Sequence, residues 1–262
     1  MNYEFVNVDR DAGVETISLN RPDVRNSLNR QLRKELRVAL EQSMANENIR
    51  VVVLTGEGSV FCAGADLSEK IDDNGEVDYL AATVRAEYNS IIEIITRGSK
   101  PVICAVAGTA AGFAGALVLA CDLVVMTEDA EIYSAFSGIA LVPDGGFHYF
   151  LSKALGAQKA YEIIAFCQRL DARRCENLGL ANRVVSSDEL REAAMAFAVQ
   201  LSRLAPLSLC HSKQLLREAA TEELMVVADK EAMFQEKNLR SKDHQEGVSA
   251  FFEKRKANFI GC

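Results

Sequence analysis

At 262 residues the chain has room for one large hydrophobic core with an appendage, or for two modest domains. Hydrophobic residues make up 49% and charged residues 25%, a globular balance without low-complexity tracts or a clear internal repeat. The net charge of -8 argues against a nucleic-acid partner, because a phosphate footprint needs a cationic surface; Lys254-Arg255-Lys256 is the one short basic exception.

In chain order, Tyr3 to Asp9 and Val14 to Asn20 read as strands around a turn at Asp11-Ala12-Gly13, closed by Asn20-Arg21-Pro22. Asn29 caps a predicted helix over Arg30 to Met44, where Leu32, Leu36 and Leu40 recur four apart. Arg50 to Thr55 is a buried, β-branched strand stopped by Gly56-Glu57-Gly58. The loop Phe61 to Leu67 leads into a polar stretch, Ser68 to Glu76, expected to be mobile. A long helix follows near Val77 to Arg97, with Ile91, Ile94 and Ile95 on one face.

Pro101 to Ala107 is another buried strand, and the small residues from Gly112 to Ala120 read as a tightly packed helix. The uncharged run Pro101 to Cys121, with its Gly108-x-x-x-Gly112 spacing, invites a membrane reading. Its alanines, three glycines, strand-like start and direct continuation into Asp122 favour a soluble chain without a membrane span. Leu123 to Thr127 and Glu131 to Ser134 are two more strands. From Gly145 the pattern is mostly helical to Phe259, apart from an extended Ala181 to Val185. The expected architecture is an α/β core over residues 1–185, built of strand-strand-helix units, with a helical cap over 186–262.

The seven cysteines form an odd set with no C-x-x-C pair, and several sit in apolar runs such as Val102-Ile103-Cys104-Ala105. Buried free thiols in a reducing, cytoplasmic compartment explain this pattern. His148, His211 and His244 are isolated from one another, so no zinc site is indicated. Met1-Asn2-Tyr3-Glu4 has no signal-peptide character, and Ile260-Gly261-Cys262 fits neither a peroxisomal address nor a prenylation pattern.

Three loops carry small or acidic residues suited to chemistry. In Phe61-Cys62-Ala63-Gly64-Ala65-Asp66 the small side chains let a ligand approach the main chain, and Gly64 permits a turn that aims amides inward. Taken alone it is also an ordinary strand-to-loop turn. In Ala107 to Gly115 a buried strand runs into a helix start, whose unpaired N–H groups suit an anion; close packing is the bland alternative. Neither a P-loop nor a dinucleotide fingerprint is present. In Leu141-Val142-Pro143-Asp144-Gly145-Gly146, local sequence alone favours Asp144 as a helix N-cap over a catalyst.

These loops, in this order, resemble the crotonase (enoyl-CoA hydratase/isomerase) superfamily. The resemblance runs from Leu19-Asn20-Arg21-Pro22 through Phe61 to Asp66 and Lys100-Pro101-Val102-Ile103 to the segment Glu246 to Arg255. It implies a crotonase-like spiral of strand-strand-helix units, trimers or dimers of trimers with contacts through the C-terminal helices, and an acyl-CoA substrate with no separate cofactor. It also implies an oxyanion hole made by the amides of Ala65 and Phe113, the latter where relatives usually have Gly, so that the Phe113 ring is expected to reshape or narrow the pocket. Preplaced donors stabilise the charge that develops on a thioester oxygen when the neighbouring carbon loses a proton. By the same resemblance CoA lies near Val24, Ala63, Asp66 and Leu67, with Lys256 a contributor from the cap, and Gly64, Gly112 and Phe136 are further substrate- or CoA-binding positions.

The reaction turns on which carboxylates are present. Family hydratases carry two glutamates, matched here by Ala116 and Phe136, so ordinary water addition lacks its acid and base. Asp144 occupies the position of the single acidic residue of family isomerases, which turns the local preference from cap to catalyst. The run Ser134 to Asp144 resembles phenylacetate-pathway isomerases. His148, four residues on, is a candidate to orient Asp144, though a surface or core role is the simpler reading. A hydratase, hydrolase or carbon–carbon lyase on the same scaffold would need another carboxylate, such as Glu131 or Glu87. A non-catalytic acyl-CoA binder and an RNA-binding relative, served by Arg30, Arg33, Lys34 and Arg37, are further alternatives; the overall charge argues against the last.

Overall fold

The computed structural model describes residues 3–69 and 79–262. Strands β1 (Val6–Asp11) and β2 (Val14–Leu19) form an antiparallel hairpin, and Ala12 and Gly13 supply the positive φ its two-residue turn requires. Helix α1 (Arg30–Ala45) starts where the Asn29 side chain accepts from the Leu32 amide at 2.9 Å, as the sequence leads one to expect. Strand β3 (Val51–Gly56) follows, then α2 (Tyr79–Thr83), a π-helical segment Val84–Tyr88 and α3 (Asn89–Arg97). The start of the helix expected near Val77 and most of the polar stretch Ser68 to Glu76 lie outside the described residues.

Each following unit sends one strand to each of two sheets. β4 (Val102–Val106) and β6 (Leu123–Thr127) join a six-stranded sheet of order β1-β2-β3-β4-β6-β9, parallel beyond its first hairpin. β5 (Thr109–Ala111), β7 (Glu131–Tyr133) and β8 (Arg169–Asp171) form a three-stranded sheet. β9 (Arg183–Val185) completes the larger sheet where an extended segment is expected. β5 and β8 appear in stretches read from sequence as loop and helix, because three-residue strands have no periodicity of their own.

Between the two strand series run α4 (Phe113–Ala120), α5 (Phe147–Leu155), α6 (Ala157–Ala165) and α7 (Ala172–Asn177). The chain ends in α8 (Leu190–Ser202), α9 (Pro206–Glu218), α10 (Leu224–Leu239) and α11 (Lys242–Glu253). One face of the large sheet packs Ile17, Leu54, Cys104 and Met126 into the main core with α1, α3 and α4. Its other face, with Val51, Val53, Ile103 and Val125, is covered by Leu190, Ala194 and Ala198 of α8. Cover on both faces is why these strands read as unbroken apolar runs rather than alternating ones. The uncharged stretch Pro101 to Cys121 is accordingly divided into β4, β5 and α4, and no single helix among the described residues is long and apolar enough to cross a membrane. All seven cysteines are free, and four of them are buried.

Candidate active site

The first and second loops are laid side by side by a parallel bridge between Cys62 and Ala110. The Cys62 amide donates to Thr109 O at 3.1 Å, and the Ala111 amide donates to Cys62 O at 3.0 Å. Ala65 and Phe113 each stand three residues beyond that bridge, so the register brings the two expected oxyanion residues into adjacent strands of chain. Gly64, at φ +87°, makes the approach possible: a Cβ there would sit 2.6 Å from Ala111 O.

The amides themselves are directed by the pairing of their neighbours. Leu28 donates to Gly64 O at 2.8 Å and accepts from the Asp66 amide at 3.3 Å, so the polar groups of Ala65 face away from Leu28. Gly112 spends its N–H on Tyr133 O at 3.0 Å, and its positive φ of 57° turns the chain into α4. Phe113 is then the first residue of the helix, where an N–H has no intrahelical acceptor and the helix dipole is positive. Neither N–H finds an acceptor among the described residues.

Asp144 lies on the turn before α5. Its backbone carbonyl accepts from the Phe147 amide at 3.1 Å, but the helix cap is Gly146 and no side chain caps this helix. The carboxyl is therefore not spent on capping. Its Oδ1 is buried with no hydrogen-bond partner among the described residues, and burial pushes its pKa from 3.8 up to about 6. His148 is exposed on α5, and Asp144 stands outside that helix, so the four-residue spacing does not put the two on one helical face.

The Phe113 ring is only 2% exposed. It is turned into the core, edge-on to Tyr88 with centroids 4.7 Å apart and beneath Gly145, whereas the sequence led one to expect a ring that reshapes or narrows the pocket. A ring at the first turn of a helix that is buried on every side has nowhere else to go. Ala116 is fully buried, and Phe136, 7% exposed, lies over Gly112 and edge-on to Phe147 at 6.1 Å. Apolar groups thus occupy both positions where a hydratase of this resemblance would hold a carboxylate. Of the alternative carboxylates, Glu131 accepts from Thr109 Oγ1 at 2.9 Å and pairs with Arg169, while Glu87 pairs with Arg33 at 2.8 Å.

Val24, Ala63, Asp66 and Leu67 come together around the first loop. The Ala63 amide donates to Arg25 O at 2.9 Å, which sets it beside Val24; Val24, Ala63 and Leu67 are exposed. Asp66 accepts from Ser68 Oγ at 2.6 Å and from Arg21 Nη1 at 2.9 Å. The Ser68 bond, opposed by burial and reinforced by Arg21, holds its carboxyl below the ordinary range. Lys256 is exposed after α11, and no hydrogen bond or ion pair among the described residues links it to these loops.

Sequence reading missed the residues that brace the loops. Asn26 is fully buried: its amide group donates to Glu57 O, Val60 O and Phe61 O, and its oxygen accepts from the Arg21 amide at 2.8 Å. The available signal is an Asn following Pro22 in a turn, since Arg25 and Asn26 both take φ of 54° and Asn tolerates that region best. Arg33 and Tyr88, both buried, left no such mark.

A family model described as enoyl-CoA hydratase/isomerase matches residues 9–261. The chain is 35% identical over 259 residues to a 1,2-epoxyphenylacetyl-CoA isomerase of Escherichia coli K12, covering 98% of this chain and 99% of that protein. It is 33% identical over 261 residues to a probable enoyl-CoA hydratase of Rhodobacter capsulatus, covering 100% of both. Among solved structures, an enoyl-CoA hydratase from Polaromonas sp. JS666 superposes with a TM-score of 0.92 at 33% identity, over 97% of this chain and 99% of that one.

Proposed function

The chain belongs to the enoyl-CoA hydratase/isomerase family of the crotonase superfamily, and from that premise we propose that it is an enoyl-CoA isomerase whose proton carrier is Asp144. The thioester carbonyl of a 3-enoyl-CoA, or of a related unsaturated thioester, docks at the Ala65 and Phe113 amides. Asp144 takes a proton from the α carbon, and the electron pair of that C–H bond delocalises through the carbonyl and the double bond as a dienolate. The protonated Asp144 then delivers the same proton to the γ carbon. The double bond moves into conjugation, and the carboxylate is regenerated.

The observation that carries this reading is the Asp144 carboxyl: half-buried, with Oδ1 buried and unpartnered among the described residues and a pKa pushed up by burial to about 6. A base that must also return its proton works best with a pKa near the operating pH. Hydration requires a second group to activate water, and the two alternative carboxylates are engaged elsewhere, Glu131 with Arg169 and Glu87 with Arg33. The exposed cluster of Val24, Ala63 and Leu67 supports CoA binding along the first loop. A homotrimer, or a dimer of trimers, is supported by the apolar residues left exposed on α10 and α11, Met225, Met233, Phe251 and Phe252 among them.

The test is to supply 3-hexenoyl-CoA and crotonyl-CoA separately and follow the absorbance of the conjugated enoyl thioester. The reading predicts a rise with the first and little change with the second. Rapid loss of the crotonyl-CoA signal through hydration would contradict it.

A further inference from the structure

The π-helical segment Val84–Tyr88 interrupts the helical run 79–97, and such segments are frequent at functional sites. Here Tyr88 is turned inward, 6% exposed, with its ring edge-on to that of Phe113 at 73°. Behind Tyr88 stands Arg33, whose guanidinium lies 4.8 Å from the centre of the ring and donates from Nη1 to the phenol oxygen at 3.2 Å. Arg33 is fixed in turn by Leu28 O at 2.8 Å, Glu69 at 2.8 Å and Glu87 at 2.8 Å. In front, the Phe113 ring fills the space beneath Gly145. A Cβ built on Gly145 would lie 2.7 Å from two carbons of that ring and 2.9 Å from Ala116 Cβ. A continuous stack therefore runs from Arg33 through Tyr88 and Phe113 to Gly145, one residue from Asp144.

We propose that the Phe113 ring, braced by Tyr88, is a positioning wedge that fixes Gly145 and so holds the Asp144 turn in place while keeping water away from its carboxyl. The inference rests on the reading of Asp144 as proton carrier and deepens it: one residue supplies an oxyanion donor through its backbone and positions the base through its side chain. A flat ring packed under a residue with no side chain leaves the Asp144 turn little room to slide. Without the ring the turn relaxes and water reaches the carboxyl. Among the described residues, the charged and titratable groups on the Asp144 side are Tyr88, whose phenol burial pushes up to about 12, with Arg33, Glu69 and Glu87 behind it; His148 on α5 is exposed.

The experiment labels the aspartate carboxyl carbons with 13C, identifies the Asp144 signal by its loss in Asp144→Asn, and titrates it in the parent protein, Phe113→Gly and Phe113→Leu. The parent midpoint is expected near 6. In both Phe113 variants it should fall by about one unit toward the ordinary carboxylate range. On 3-hexenoyl-CoA, kcat should fall by about tenfold or more, with KM nearly unchanged, because positioning rather than binding is lost. Phe113→Leu retains most of the apolar volume and serves if the glycine variant does not fold. A folded Phe113→Leu protein that keeps the parent midpoint overturns the wedge. The titration requires no turnover, so full isomerase activity in Asp144→Asn would sink the proton-carrier reading while leaving the wedge to be decided by the midpoint.

Discussion

Burial that raises the Asp144 pKa to about 6 has consequences for both rate and stability. Only the ionised carboxylate accepts a proton, so kcat/KM should rise with pH through a midpoint near 6 and fall away in more acidic buffer. The stability effect has the opposite sense. Below the unfolded value near 3.8 the group is neutral in both states and folding is unaffected. Above the folded value near 6 it is charged in both, and the folded state bears a penalty on the order of 3 kcal/mol. Asp144→Asn should therefore be more stable than the parent at pH 7, by up to roughly that amount, and the gain should vanish below about pH 4 in urea melts. A variant that is less stable at every pH would mean the carboxylate is held by contacts that favour its charge. None of this was legible from Asp144 and its sequence neighbours, which read as a helix cap. The burial that raises the pKa is a product of the folded chain, and only family resemblance suggested a role for the position.

Among the elements, the bridge between Cys62 and Ala110 decides whether two amides converge. Gly64→Ala would force a Cβ within 2.6 Å of Ala111 O at a positive φ, so one strand must shift. Loss of one oxyanion donor typically lowers kcat by about 100-fold or more. The Gly64→Ala protein should show a loss of that size with 3-hexenoyl-CoA while retaining a cooperative melt; an unchanged kcat would contradict the paired-loop geometry. The long strands and α1 were readable because β-branched runs and the spacing of Leu32, Leu36 and Leu40 are strong patterns. β5 was not, because Thr109–Ala111 is three small residues whose pairing with β7 is a matter of tertiary register. For the same reason the second loop looked like a plain strand-to-helix connection, although β5 is what aligns it with the first.

For the whole molecule, the C-terminal helices meet the core at a buried ion pair and carry apolar residues left exposed. Asp122, just before β6, accepts from the Val102 amide at 2.8 Å and from Lys213 Nζ of α9 at 2.7 Å, with Lys213 only 8% exposed. Asp122→Ala leaves that ammonium buried without its carboxylate and should lower unfolding stability by on the order of 3 kcal/mol in urea, whereas a loss below about 1 kcal/mol would show that the ammonium escapes to water. The exposed Phe251 and Phe252 of α11 predict a sedimenting species of three or six times the 28.7 kDa chain mass; a monomer at micromolar concentration would contradict the assembly. The central claim, that Asp144 alone shuttles the proton of an enolate held by two amides, is tested most directly by the rate of Asp144→Asn on 3-hexenoyl-CoA. The account predicts a fall in kcat of about 100- to 10,000-fold with thioester binding retained, and an Asp144→Asn protein that isomerises at the parent rate would contradict it.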